Sequence, residues 1–259
     1  MQSENRQLAW SPVLILGEER VSRWLVICDH ATNRVPDFVN GGTLGIADED
    51  MARHIAYDPG AAGVSIRLAD KLGAPVVLSN FSRLVIDPNR GEDDPTLIMR
   101  LYDGTIIPAN RHVDEADAAR RLEFCYRPYH EAVTRMAAAR DDTVIVSIHS
   151  FTPQLRHRPP RPWHVGLLFA DDERLSRPLV ELLRNEPGMV VGANEPYSGH
   201  LKGDTIDRHA IATGRQNTLI EIRNDLIQLD AEQAAWADRL AGLLPGALER
   251  AETEGDEYG

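Results

Sequence analysis

The chain has 259 residues, 42% of them hydrophobic, which suits one α/β domain with a substantial core (the single-domain reading runs 1–259, its core about 20–252) and excludes disorder outside the termini. The formal net charge of −12 argues against nucleic acid as a partner, because phosphate backbones are repelled, yet leaves small carboxylate ligands open, since a few local arginines can bind one against the net field. Two cysteines, Cys28 and Cys125, are too few for a disulfide framework and point to a reducing cytoplasm, while the lack of a signal-like N-terminus or of any apolar run near the roughly 20 residues that span a bilayer speaks against secretion and membrane insertion.

In chain order, Trp24 to Cys28 (WLVIC) reads as a buried strand ending at Asp29-His30. Ala61 to Leu72 has helical spacing, with Val64, Leu68 and Leu72 on one face and Gly73 closing it; Asp58-Pro59 ahead of it reads as a helix start, Asp as cap and Pro in the first turn. Pro75 to Leu78 is a second buried strand, and Leu84 to Ile86 a short extended piece. Gly91 to Asn110 reads as a long loop, of the kind common beside active sites. Ala116 to Arg140 is helical, tolerating Pro128 or kinking there. Thr143 to Ile148, leading into His149-Ser150, and His164 to Phe169 are further strands. Glu173 to Arg184 is a helix and Met189 to Val191 is strand-like; a polar stretch from Asn194 to Asp204 follows. Thr218 to Ile222 (TLIEI) is a strand with a carboxylate inside it. Ala231 to Arg250 is a last helical region, interrupted at Pro245-Gly246, before an acidic tail that frays. Apolar strands alternating with helices predict an α/β fold with a mixed, mostly parallel sheet covered on both faces.

Ligands of open α/β sheets bind beyond the carboxyl ends of the strands. Three predicted strands deliver chemistry there: Asp29 and His30 from the first, His149 and Ser150 from the fourth, Glu221 and Arg223 from the last. Two histidines and a carboxylate make a common catalytic zinc set with one position open for water, so His30 and His149 are the leading ligands of a Zn²⁺ or another divalent ion. Asp58 is the favoured carboxylate, although capping a helix competes with that role; Asp29 and Asn33 are the other options. Glu221 within an apolar strand is costly to bury without a partner; it is either paired with an arginine or placed as a general base. In SRLVIDPNR, Ser82 to Arg90, the arginine forks match a carboxylate or a developing oxyanion, while Pro88-Asn89 also suits a solvated turn.

Taken together and in this order, CDHATNRVP (28–36), HIAYDPGA (54–61), FSRLVIDPNR (81–90), SIHSFTP (147–153), SGHLKGDTIDRHA (198–210) and IEIRNDL (220–226) resemble the N-formylglutamate amidohydrolase family. That family resembles zinc carboxypeptidases and aspartoacylase-like deacylases. The resemblance implies a zinc-carboxypeptidase-like α/β domain, His30 and His149 as zinc ligands and Glu221 as the base that activates water. It implies Arg83 as polariser of the scissile carbonyl, with Asn89 and Arg90 holding a substrate carboxylate; Arg223, at the end of the last strand, is a further candidate for that anchor. His200, Lys202, Arg208 and His209 match a further polar stretch and are expected to line the pocket. The carboxypeptidase pattern has a glutamate ligand where this chain has Asn33, so Asp58, ligand on the same implication, stands in for it. The expected activity is metal-dependent cleavage of the N-acyl amide of a small acidic amino acid such as N-formylglutamate. The alternatives are a deacylase or peptidase acting on a different small N-acyl compound, and a catalytically inactive binding relative. Oligomeric state is not readable from the sequence.

Overall fold

The computed structural model describes residues 10–199 and 201–256, the side chains of 254–256 excepted. Seven strands share one sheet: β1 (Val13–Leu16), β2 (Trp24–Cys28), β3 (Val76–Ser79), and, numbered after a small hairpin, β6 (Val144–Phe151), β7 (Val165–Leu168), β8 (Val191–Ala193) and β9 (Asn217–Arg223). The hairpin is β4 (Leu101–Tyr102) with β5 (Thr105–Ile106). Across the sheet the order is β1-β3-β2-β6-β9-β7-β8. β3, β2, β6 and β9 are mutually parallel, β1 runs antiparallel to β3, and β7 runs antiparallel to β9 and parallel to β8. The sheet is mixed and mostly parallel, as the sequence predicts.

Successive side chains of a strand point to opposite faces, so WLVIC feeds two cores at once. Trp24, Val26 and Cys28 join one core, covered by α2 (Ala61–Lys71), α5 (Ser176–Arg184) and α7 (Asp230–Asp256). Leu25 and Ile27 join the other, covered by α4 (Arg127–Ala137) and by the buried segment Phe81 to Ile86. Three shorter helices, α1 (Asp48–Met51), α3 (Glu115–Arg121) and α6 (Thr205–His209), complete the set described here. Among the described residues no helix is long and apolar enough to cross a membrane.

Several local expectations are corrected. Asp58 does not cap α2: the residue before the helix is Gly60, at φ 82, and no side chain caps that end. A side chain at Gly60 would meet the Ile227 carbonyl at 2.2 Å, so both the left-handed backbone and the close approach require glycine. Leu84 to Ile86 forms no strand; these side chains are fully buried in a turn-rich segment. The predicted loop 91–110 contains the β4–β5 hairpin, whose turn places Asp103 (φ 42) and Gly104 (φ 81) in the left-handed region that a two-residue turn demands. Helix 116–140 tolerates Pro128, one of the two outcomes expected there. A π-turn at Leu122–Tyr126 joins α3 to α4 and places Pro128 in the first turn of α4, where a missing N–H costs little. α7 runs unbroken through Pro245 to Asp256, past the expected interruption and into the stretch expected to fray. An internal proline costs about 3 kcal/mol. Burying Trp236, Leu240, Leu244 and Leu248 at roughly 1.5–3 kcal/mol each outweighs that. The strand expected at Met189 to Val191 lies slightly later, at Val191–Ala193, and β1 and α6 fall where the sequence reading placed no element.

Candidate active site

β2, β6 and β9 stand side by side at the centre of the sheet, and their carboxyl ends meet. His30 follows β2 directly. His149 lies inside β6, with its Cα in register opposite that of Glu221 on β9. Strands about 4.8 Å apart therefore set these two side chains next to each other. Asp58 arrives from the turn before α2, tied there by its amide, which donates to the His30 carbonyl at 2.9 Å.

Asp58 is the hub. Its Oδ2 is 3.2 Å from His30 Nδ1 and 2.9 Å from His149 Nδ1. The far side of each imidazole is held by another carboxylate: His30 Nε2 lies 2.7 Å from Asp87 Oδ1, and His149 Nε2 lies 2.9 Å from Asp29 Oδ2. All five side chains are essentially excluded from solvent. This is the arrangement by which carboxylates orient metal-ligating histidines. Ligand atoms of His30, Asp58 and His149 lie within 4.8 Å of one another, and the three can hold a metal ion. The two other carboxylate options of the sequence reading stand elsewhere. Asp29 is behind His149, accepting also from Tyr129 and Thr205 hydroxyls. Asn33 points its amide at the Met51 carbonyl.

Electrostatics follow from this wiring. Burial pushes the Asp29 carboxyl up, but the hydrogen bond and charge of His149 outweigh it and hold the group down at about 2. Burial likewise opposes ionisation of Asp58, yet the histidines around it keep it well below the carboxylate range. Burial disfavours a charged His149, and its two carboxylate partners more than reverse this, raising it well above the usual imidazole range. An imidazole facing a carboxylate at both nitrogens needs a proton on each, or a cation in place of one of them. Glu221 differs: burial raises it to about 7, against the opposing charge of His149.

Three buried polar atoms here have no hydrogen-bond partner: Asp58 Oδ1, His54 Nδ1 and Glu221 Oε2. His54 Nδ1 lies 3.1 Å from Asp58 Oδ1, but out of line for a hydrogen bond. Buried polar atoms are rarely left unpaired, and three around one cavity mark a place where a ligand completes the bonding. The donor set and these orphaned atoms fit a divalent cation with a small polar ligand beside it.

The cavity has a volume of about 330 Å³ and is lined by His30, His149, Glu221, Arg83, Asn89 and Arg90, among others. Arg83 donates from Nε and Nη2 to Asp87, while its Nη1 stands 3.5 Å from Asp58 Oδ1. Arg90 donates to the Asn89 carbonyl and the Thr96 hydroxyl; Asn89 accepts from the Thr205 amide. Leu168, Ile206 and Leu219 form apolar wall, and Gly199 closes the cavity so tightly against Phe169 that a Cβ would sit 2.4 Å from its amide nitrogen.

Other expected pocket residues stand apart. Arg223 is paired with Asp225 at 2.7 Å and faces the carbonyls of Arg161 and Trp163, outside the cavity lining. Lys202 is exposed and is not part of that lining. Arg208 and His209 line a different groove, where Arg208 lies over the Tyr126 ring and His209 stacks on His130. His200 lies outside the described residues. The sequence reading assigned no role to His54, which lines the cavity, or to Asp87, which orients His30.

Known proteins share this architecture. A crystal structure of a gene product from Agrobacterium tumefaciens superposes with a TM-score of 0.88 at 34% identity, covering 94% of this chain and 97% of that one. The N-formylglutamate amidohydrolase of Ralstonia eutropha JMP134 superposes with a TM-score of 0.71 at 24% identity over 94% and 98% of the two chains, a likeness of fold. The N-formylglutamate deformylase of Pseudomonas putida is 27% identical over 206 residues, 71% of this chain and 73% of that protein. The sequence pattern of the N-formylglutamate amidohydrolases matches residues 22–228, a span that includes each residue of the His30, Asp58, His149 and Glu221 cluster. The chain belongs to the N-formylglutamate amidohydrolase family and is, with it, a hydrolase of amide bonds.

Proposed function

We propose that the protein removes the formyl group from N-formylglutamate, or from a closely similar N-acylated acidic amino acid, by metal-assisted hydrolysis. The observation that carries this reading is the convergence of His30, Asp58 and His149 within 4.8 Å, beside a buried glutamate with an unpartnered oxygen. Nitrogen and carboxylate ligands in this number favour zinc. A zinc ion held by these three side chains supplies Lewis acidity, lowering the pKa of water and drawing electron density from the acyl carbonyl.

The chain's own groups do the rest. Glu221 takes a proton from the attacking water at its free carboxylate oxygen and delivers it to the departing amine nitrogen. Arg83 is fixed by Asp87 through two of its nitrogens, and its remaining Nη1 offers charge to the developing oxyanion. Asn89 and Arg90 hold the substrate carboxylate, Arg90 through its planar fork. Asp29 and Asp87 fix both imidazole rings from behind. Water adds across the C–N bond; the products are the free amino acid and formate. The reading of a catalytically inactive relative rested on Asn33 replacing a ligand; the place of Asp58 in the cluster supports the active reading instead.

The test is formate release from N-formyl-L-glutamate by the purified protein, before and after exhaustive chelation and after zinc is restored. Turnover that disappears on chelation and returns with zinc is expected. Full turnover by metal-free protein removes the metal from the mechanism, and absence of turnover in every state removes the substrate assignment.

A further inference from the structure

Resting on that reading, we infer that the acyl side of the site takes chains longer than formyl, ending in an anionic group, and that Arg156 recognises that end. A second cavity, of about 710 Å³, adjoins the first: His54 and Tyr102 line both. Asn89, Arg90, His30 and His149 line only the smaller cavity, whereas His54 and Tyr102 form the wall it shares with the larger one. A substrate whose carboxylate sits at Asn89 and Arg90, with its scissile carbonyl at the cluster, directs its acyl group toward that wall and the space beyond. Formyl is a single carbon and leaves this space unused.

The chemistry of the larger cavity selects the occupant. Its lining is polar, with Gln154, Asn224 and Gln228 beside the two shared residues. Two arginines reach it, and they are not equivalent. Arg53 is neutralised by Asp50 at 2.7 Å and Asp103 at 2.5 Å. Arg156 is 54% exposed, and its ion pair, also with Asp50, spans 4.0 Å, so most of its guanidinium is open to a ligand. A dicarboxylic acyl group such as succinyl carries a terminal carboxylate for it to recognise. The chemistry is the same water addition across the amide, releasing the amino acid and a dicarboxylate in place of formate.

The experiment compares N-formyl-, N-butyryl- and N-succinyl-L-glutamate with the zinc-loaded wild type, R156A and R156E. Butyryl tests length without charge, and succinyl adds the terminal carboxylate. Wild type is expected to cleave succinylglutamate with kcat/KM within about tenfold of its value on formylglutamate, and above its value on butyrylglutamate. R156A should lose about fivefold on succinyl through KM, the upper end for an exposed ion pair, with a larger loss in R156E. Formyl and butyryl turnover should hold in both variants. Cleavage of formylglutamate with no cleavage of either longer substrate overturns the inference and leaves the proposed function standing. So does an equal loss on all three substrates in the variants. Failure to cleave any of the three, formyl included, overturns the proposed function and the inference with it.

Discussion

At the scale of single residues, Glu221 is the sharpest test of mechanism. The substitution Glu221→Gln removes the proposed proton acceptor and keeps the shape, so kcat should fall by about 10²–10⁴-fold while metal content measured by elemental analysis stays at the wild-type level. Turnover that survives the change would assign the base elsewhere. Arg90→Ala should act mainly on KM if Arg90 holds substrate as proposed; a fall in kcat with KM unchanged would contradict that role. Asp29 is not part of the cavity lining and holds His149 by its far nitrogen. Asp29→Asn should therefore weaken zinc binding, with a competition titration showing a loss of about 10–100-fold. Much of this cluster was legible before the fold was known: both histidines, Glu221 and Asp58 stand at or near the ends of apolar runs. The division of labour among the carboxylates was not. Asp58 was favoured as the ligand over Asp29 and Asn33 and Asp87 had no assigned part, and only the lateral spacing of β2, β6 and β9 decides which carboxylate faces which imidazole nitrogen. His54 was hidden because a histidine four residues before an aspartate, next to Pro59, resembles an ordinary helix entry.

At the scale of elements, the strands that place the site were readable because parallel strands buried on both faces are continuous apolar runs. β1 escaped: it is a half-buried edge strand with no chemistry at its ends. The break expected at Pro245-Gly246 was a misreading, since a proline's local cost was weighed without the packing that offsets it. α7 makes this measurable. Pro245→Ala restores a missing donor in a helix that is already formed, and chemical denaturation should show a gain of roughly 1–3 kcal/mol, the intrinsic penalty less the entropy proline removes from the unfolded chain. A loss of stability would mean that the proline ring itself packs the core. Gly60→Ala should go the other way by more than about 1 kcal/mol, because it combines a left-handed backbone with a 2.2 Å clash against Ile227. Since that turn carries Asp58, the same variant should also bind zinc more weakly.

At the scale of the whole molecule, burial ties stability to pH. His130 of α4 and His209 of α6 stack on each other, buried, their ring nitrogens 2.8 Å apart. Burial, with the charge of Arg208, lowers His209 to about 4; burial, with His209 and Arg208, lowers His130 to about 3. Each is neutral when folded, and its unfolded form takes up a proton below about pH 6.5. The unfolded state then binds more protons, so these groups withdraw stability as pH falls from 6.5 toward 4. Asp204, raised to about 7 by burial, acts in the opposite sense over the same range, so the histidine contribution is read by difference. The gap in stability between wild type and H209Q should shift by about 2 kcal/mol in favour of the variant between pH 7 and pH 5. A gap constant with pH would contradict a buried neutral His209. The whole account depends on one cation gripped where three strands meet. Crystals of the protein grown with zinc, measured on both sides of the zinc absorption edge, test that directly. The account predicts an anomalous peak bonded to Nδ1 of His30, Nδ1 of His149 and a carboxylate oxygen of Asp58, with Glu221 facing it. An active protein whose zinc lies elsewhere, or which holds none, would contradict it.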